Sequence, residues 1–489
     1  MSTGKESVRS GVITVAGRGA QLILQLGLAV ILQRILTEED VGVQAYVFPI
    51  ALLVQNVANG GLQGAIIQHT GLSAVEASAV FWASLRWNAL VAFTMVPAAA
   101  LLALINGDTR VVPVAAVWAL IIFGATFSAI PEALLKRQFR FGVVLAAHLV
   151  ALVVSIIVSV FAARAGARYW TYLIQMAIVE FGRVAIIWKV SGWRPLPSRE
   201  LGDATHEVVR ELRTYWRGFA GSRFVGWIGD QCDRLAVGAV FGFGPLGFYD
   251  TAKRWGTFAF IEPFLALTEV AVASLSRVRD DPVRFAAYAR NAFLPVLAAS
   301  LPVVAFLFAE PVGVMHVLFG ERWVASAPML RLIALAIAIG SIGRLAQWVS
   351  LAVGGAGPHR QLRWTFVTTP IFLACVVVGV RNGPVGVAAG VAVANALTSL
   401  PGVFFLLHPT HVKARAVLPV WLVPAVAATA GVVVLYALDA RLPDAGAFGG
   451  LFVRGVLFVL TYAVAWMIIP GGRAMLRAAR PGGEGALSA

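Results

Sequence analysis

Residues 141–163 read FGVVLAAHLVALVVSIIVSVFAA and hold no Lys, Arg, Asp or Glu. A helix of about 20 such residues matches the hydrocarbon thickness of a bilayer, so this stretch is expected to cross one. Working outward, further apolar runs lie near 11–34, 43–66, 78–105, 111–132, 169–189, 217–241, 246–275, 285–309, 325–353, 362–380, 384–407, 416–438 and 449–469. Together they predict an all-α integral membrane protein of about fourteen transmembrane helices. A membrane β-barrel would alternate apolar and polar residues over ten-residue segments, and these runs do not. Composition agrees: 59% of residues are hydrophobic and 13% charged, against about 25% charged in a soluble domain.

Several functional classes are excluded on the same grounds. The net charge of +15 sits in loops at membrane boundaries without an aromatic-basic module, so nucleic acid is not expected as a partner; attraction to anionic membrane lipids is. Cys232 and Cys375 both fall within spans, which argues against a disulfide framework. Seven scattered histidines show no metal-ligand spacing, and no Walker motif is present. No metal or other cofactor is expected. The first span is too long for a cleavable leader and is expected to stay in the mature protein.

Orientation follows from the loops. With the N-terminus in the cytoplasm, 22 Lys and Arg fall in cytoplasmic segments and 8 in external ones. The positive-inside rule then places both termini in the cytoplasm.

The longest internal polar segment, 190–216, contains Pro195, Pro197, Glu200, Asp203, Glu207, Arg210, Glu211 and Arg213. It reads as a cytoplasmic linker with an amphipathic helix, separating a six-helix bundle at 1–189 from another at 217–408. Residues 409–489 would add two more spans and a cytoplasmic tail. The flanks carry a weak repeat at a spacing of 205 residues: Ala16-Gly17-Arg18 aligns with Gly221-Ser222-Arg223, Val41-Gly42-Val43 with Leu246-Gly247-Phe248, and Pro97 with Pro302. Six spans per half make the halves parallel repeats, a transporter plan that places the substrate site between them.

An ionisable side chain inside a span is costly unless it faces protein or water. Arg223, Asp230 and Arg234 share one helical face with Asp233 beside it, while Arg18, Gln21 and Gln25 form a matching stripe in the first span. Arg18 and Arg223 occupy equivalent repeat positions and would make an anion site open to the cytoplasm. Asp250, Lys253 and Arg254 cluster within one turn, and Glu262 and Glu269 flank Pro263. The blander readings are internal salt bridges for Asp230, Asp233, Arg234 and Asp250, snorkelling for Arg86 and Arg183, and an interfacial place for Glu132.

Four turns carry a family resemblance. Arg34-Ile35-Leu36-Thr37-Glu38-Glu39-Asp40-Val41-Gly42 resembles the R-L-L-T-P-E-D-F-G turn of Wzx-like polysaccharide transporters. Asn59-Gly60-Gly61-Leu62-Gln63-Gly64-Ala65, residues 131–141, and Cys232-Asp233-Arg234-Leu235 with Gly244-Pro245-Leu246-Gly247-Phe248-Tyr249 are similar to three further turns of that family. The departures are Glu39, where the family usually has proline, and Asn59, where it often has aspartate. The resemblance implies the multidrug/oligosaccharidyl-lipid/polysaccharide export fold: two six-helix bundles around a cavity, here with two extra helices. It implies a polyprenyl-diphosphate-linked oligosaccharide as substrate, and a cationic cavity matched here by Arg18, Arg223, Arg234, Lys253, Arg254 and Arg344.

The expected function is therefore a flippase, not an enzyme, working by alternating access in a bacterial inner membrane. Its expected partners are the lipid-linked glycan, membrane lipids, a polysaccharide polymerase and glycosyltransferases. A proton or sodium gradient would act through Asp230, Asp233 or Glu262. A drug exporter of the same fold would show an acidic, aromatic cavity, whereas intramembrane cations outnumber acids here, nine to seven. A lipid II flippase is the other alternative, and a glycosyltransferase would need larger external loops.

Overall fold

Thr37 shows how this sequence starts a helix. Its backbone N–H and hydroxyl both donate to Asp40 Oδ2 (3.2 and 2.8 Å), and the Asp40 N–H returns a bond to Thr37 Oγ1 (3.3 Å). This is a reciprocal capping box with aspartate at the third helical position. Glu38, Glu39 and Asp40 place negative charge against the positive end of the helix dipole. Ser73 and Glu76 make the same box further along.

The structure is a computed structural model, and it describes residues 2–59, 73–138, 140–198, 201, 224–258, 260, 281–353, 357–408, 414–444, 448–470 and 472–473. Every regular element among them is helical. In chain order these are α1 (Ser2–Ile35), α2 (Glu38–Asn59), α3 (Ala74–Phe93), α4 (Met95–Asn106), α5 (Val111–Arg137), α6 (Phe141–Arg164) and α7 (Trp170–Ser191). Then come α8 (224–241) and α9 (243–258), α10 (Pro282–Ala309), α11 (Pro311–Phe319), α12 (Ala327–Val353), α13 (Gly357–Val380), α14 (Gly383–Leu407), α15 (Ala414–Leu438) and α16 (Phe448–Ile468).

Each expected span holds helix among the described residues; α1 starts nine residues before the expected 11, the 78–105 run is two helices, α3 and α4, and the other described ends shift by five residues or fewer. Ten described helical stretches are long and apolar enough to cross a membrane. The opening stretch of the sequence reading, now α6, is the most apolar of them, at a mean hydropathy of 2.8. Helix α7 is long enough but carries Glu180, Arg183 and Lys189. The chain is a multi-pass membrane protein.

The helices form two compact units, Met1–Gly247 and Phe248–Ala489. Most of the 190–216 linker falls outside the described residues. In the first unit α6 packs on α1 and α7, and α5 packs on α2, α3, α4 and α7. Near the C-terminal ends of α5 and α7, Phe81 sits among Trp82, Phe127, Trp188 and Trp193. Trp82 Nε1 donates to the Leu196 carbonyl (2.9 Å), which ties the chain leaving α7 back onto α3.

In the second unit α12 and α13 pack on α14, and α10 packs on α12 and α15. Lipid offers no hydrophobic drive for helix association, so small residues that let backbones approach become decisive. Gly386 and Gly390 on α14 form such a pair: a Cβ on Gly386 would strike the Gly379 carbonyl, and one on Gly390 the Cys375 carbonyl. A Cβ on Gly379 would in turn strike the Gly386 carbonyl. Helices α15 and α16 dock on α10 through Phe306, Ala309, Leu435 and Phe458, and Tyr462 Oη donates to the Ala298 carbonyl (3.0 Å).

Candidate functional site

In the first unit α2 and α8 run against each other along a polar seam. Trp227 Nε1 donates to the Pro49 carbonyl (2.6 Å). Next along the seam, the Arg234 guanidinium lies over the Phe48 ring, 5.8 Å from its centroid, and donates to Gln231 Oε1 (2.9 Å). Arg234 is buried at 9% exposure and Asp233 at 2%. Further on, the Tyr46 ring fills the space over Gly238, where a Cβ would overlap it, and meets the Phe243 ring at 5.7 Å.

At the end of the seam, the turn between α1 and α2 meets the turn between α8 and α9. A Cβ on Gly42 would overlap the Phe243 carbonyl, and a Cβ on Gly247 would overlap the Glu38 carbonyl. Only residues without a Cβ permit both approaches. Ion pairs surround this crossing. Arg110 binds Glu39 (2.7 Å) and Asp108 (2.6 Å) and lies over the Phe243 ring at 5.4 Å. Arg168 binds Asp40 (3.2 Å) and approaches Glu39 (3.7 Å). The bond from Arg110 holds the Asp108 carboxyl below its usual range, more than burial raises it, and Asp108 in turn pushes the Arg110 guanidinium up. The α4–α5 turn joins the same end: Asn106 Nδ2 donates to the Gly238 carbonyl.

A second charged cluster lies at the other end of α5 and α7. Arg183 binds Glu132 and Glu180 (2.6 Å to Glu180), and Lys136 binds Glu132 (2.7 Å). The side chain of Glu132 is 8% exposed and that of Arg183 15%, so Arg183 turns to two acids within the bundle, against the snorkelling reading. His148 on α6 presents a buried Nε2 with no hydrogen-bond partner among the described residues. The i,i+4 and i,i+3 halves of this cluster lie within single helices, though the sequence reading gave Glu132 only an interfacial place. The bond between residues 132 and 183 was not visible in the sequence, because helix periodicity says nothing about which helices adjoin.

The sequence-derived candidates are placed as follows. The backbone of Arg18 lies in α1; its side chain, together with Arg223 and Glu262, lies outside the described residues. In the first unit are Asp230, exposed on α8, and the buried Asp233 and Arg234. In the second unit are Lys253 and Arg254 on α9. Arg254 pairs with Asp250 (2.8 Å), whose side chain is 1% exposed. Arg344 on α12 lies over the Phe260 ring at 5.8 Å. Of the described candidate cations, Arg234 is thus held by an amide and a ring, Arg254 by an acid and Arg344 by a ring, and Lys253 is not without a partner. No group of His, Cys, Asp and Glu suited to a metal occurs among the described residues.

Sequence reasoning missed one buried cation altogether. Arg454, counted with the external loops, sits within α16 at 7% exposure. It donates to Glu310 (2.7 Å), Asp439 (2.7 Å) and the Pro443 carbonyl (3.0 Å). Its place at the start of an apolar run was the available signal.

Residues 31–328 match the family described as polysaccharide biosynthesis protein. The chain belongs to that family. The chain is 24% identical over 309 residues to the succinoglycan biosynthesis transport protein ExoT of Rhizobium meliloti (strain 1021), a match spanning 62% of this chain and 61% of ExoT. It is 19% identical over 432 residues to the lipopolysaccharide biosynthesis protein WzxC of Escherichia coli (strain K12), covering 85% of each. The fold of this family member resembles the lipid II flippase MurJ in an inward closed conformation, with TM-score 0.70, 14% identity, and 94% and 98% of the two chains covered. It also resembles an inward-facing multidrug resistance MATE family transporter, with TM-score 0.63, 14% identity, and 82% and 96% covered.

Proposed function

We propose that this protein is a flippase. It carries a polyprenyl-diphosphate-linked oligosaccharide from the cytoplasmic to the outer leaflet of a bacterial inner membrane, for cell-surface polysaccharide synthesis. The observation that carries the reading is membership of a polysaccharide-biosynthesis family by a chain built of membrane-length helices. The names of ExoT and WzxC support a transport step in polysaccharide and lipopolysaccharide synthesis.

The physics of the substrate fits the basic residues. A diphosphate cannot cross hydrocarbon with its charge exposed, and the planar guanidinium fork suits phosphate. In this reading Arg18, Arg223, Arg234, Lys253, Arg254 and Arg344 line a wet cavity between bundles at 1–189 and 217–408, and the polyprenyl tail stays in lipid. Both termini are cytoplasmic, and rocking of the bundles exposes the site first inside, then outside. Asp230, Asp233 and Glu262 are the candidates for coupling to an ion gradient. A polymerase and glycosyltransferases consume and supply the substrate.

The test is depletion of the protein followed by measurement of lipid-linked oligosaccharide in each leaflet. Accumulation in the cytoplasmic leaflet is expected. An unchanged leaflet distribution refutes the function.

A further inference from the structure

The crossing of the α1–α2 and α8–α9 turns has a symmetry that neither turn shows alone. Gly42 meets the carbonyl of Phe243, and Gly247 meets the carbonyl of Glu38. Gly42 and Gly247 are 205 residues apart, and so are Glu38 and Phe243. Residue i therefore touches the repeat-equivalent of j while j touches the repeat-equivalent of i. That reciprocity defines a two-fold contact, and its spacing is that of the weak repeat in the sequence.

We propose that this glycine crossing is the outer seal of the transporter: two repeat-related turns close backbone to backbone, and part when the protein opens outward. The inference rests on the transport reading above. Three features suit the contact to opening and closing. With no side chain at either glycine, the surfaces that separate are backbone CH groups against carbonyl oxygens, which are weak contacts. The surrounding ion pairs of Arg110 with Glu39 and Asp108 and of Arg168 with Glu39 are part-exposed, while Arg168 also reaches the buried Asp40. Pairs of this kind exchange readily with water and hold only modestly.

The third feature lies beneath the crossing. Tyr46 is completely buried against Gly238 and Phe243, and its hydroxyl has no hydrogen-bond partner among the described residues. A buried hydroxyl left unpaired disfavours the closed state. Opening lets water reach it, so the closed and open forms are brought nearer in free energy than a fully satisfied seam would allow.

The test uses the full chain with Cys232→Ser and Cys375→Ser and a Val43→Cys reporter. Val43 is completely buried beside Gly42. Intact cells are treated with a membrane-impermeant maleimide, and the labelling rate is compared with and without Gly42→Ala or Gly247→Ala. Either alanine is expected to raise the rate about tenfold or more, while Gly27→Ala, whose Cβ would meet nothing within 4 Å, leaves it unchanged. No increase in either variant, or an increase in one alone, overturns the proposal.

A second measurement does not depend on how the alanine variants fold. A Cβ on Gly244 would lie 3.9 Å from Glu38 Cγ, so Glu38→Cys with Gly244→Cys places two thiols within disulfide reach. Oxidation is expected to stop display of surface polysaccharide, and reduction to restore it. Display that continues with the disulfide formed overturns the seal. If labelling behaves as expected but the unmodified chain supports no polysaccharide display, the transport reading fails and the seal stands.

Discussion

Two pairs of glycines in this molecule do opposite things with the same chemistry. Gly379 and Gly386 face each other across consecutive helices, α13 and α14, joined by a turn of two residues. Gly42 and Gly247 each meet a carbonyl of the other's turn, yet 205 residues separate them. The first contact continues into Gly390 against Cys375 and so belongs to a helix-packing stripe of the small-xxx-small kind. The second stands at the end of a polar seam, ringed by Arg110, Arg168, Glu39, Asp40 and Asp108. A missing Cβ permits close approach in both. Whether the approach is permanent is set by what surrounds it: interlocked helices in one case, water-exposed ion pairs in the other.

The comparison breaks most plainly at α13–α14. Gly379→Leu drives a side chain into the Gly386 carbonyl of a closely packed helix pair, so loss of folded protein is expected, read as aggregation on size exclusion in detergent. A monodisperse variant with unchanged melting temperature would show that this contact too can part. The docked hairpin of α15 and α16 should respond next. Arg454→Ala leaves Glu310 buried and unpaired, which costs about 3–5 kcal/mol and lowers the melting temperature, with Arg454→Lys recovering part of it. An effect within error would mean that the pair is not shielded from water.

The smallest effect on stability is expected at the seal. Arg110→Ala removes part-exposed pairs worth about 1 kcal/mol or less each, so its melting temperature should barely move while maleimide labelling at Val43→Cys rises. The pH dependence has a definite sign. Asp108 titrates below its ordinary 3.8 because Arg110 stabilises its charged form. That stabilisation is complete above the ordinary value and is lost as pH falls through the lowered one. Labelling should therefore be insensitive to Asp108 between pH 8 and 5, and an Asp108→Asn variant should match the acid behaviour at neutral pH. A labelling rate in Asp108→Asn equal to the parent's would remove Asp108 from the seal.

Much of the fold was legible residue by residue. The apolar runs located the helices because transfer into lipid is a local property of about 20 consecutive side chains. The Thr37–Asp40 capping box, which closes within four residues, was an available start signal, yet the apolar run alone put the start at 43. Of the candidate site, the Asp250–Arg254 pair was legible, being one helical turn apart. The Glu132–Arg183 pair was not, and Arg454 was misplaced into a loop, because both are secured by partners on other helices.

The 205-residue spacing shows where the two kinds of information divide. The sequence by itself aligned Gly42 with Gly247 through a weak repeat, since such an alignment is a matter of pattern. Only the tertiary structure decided that Gly42 meets the Phe243 carbonyl and Gly247 the Glu38 carbonyl. Contact between distant segments is chosen by the packing of whole helices, here Tyr46 over Gly238, Phe48 under Arg234 and Trp227 against Pro49, and no local run of residues encodes which neighbour it will meet.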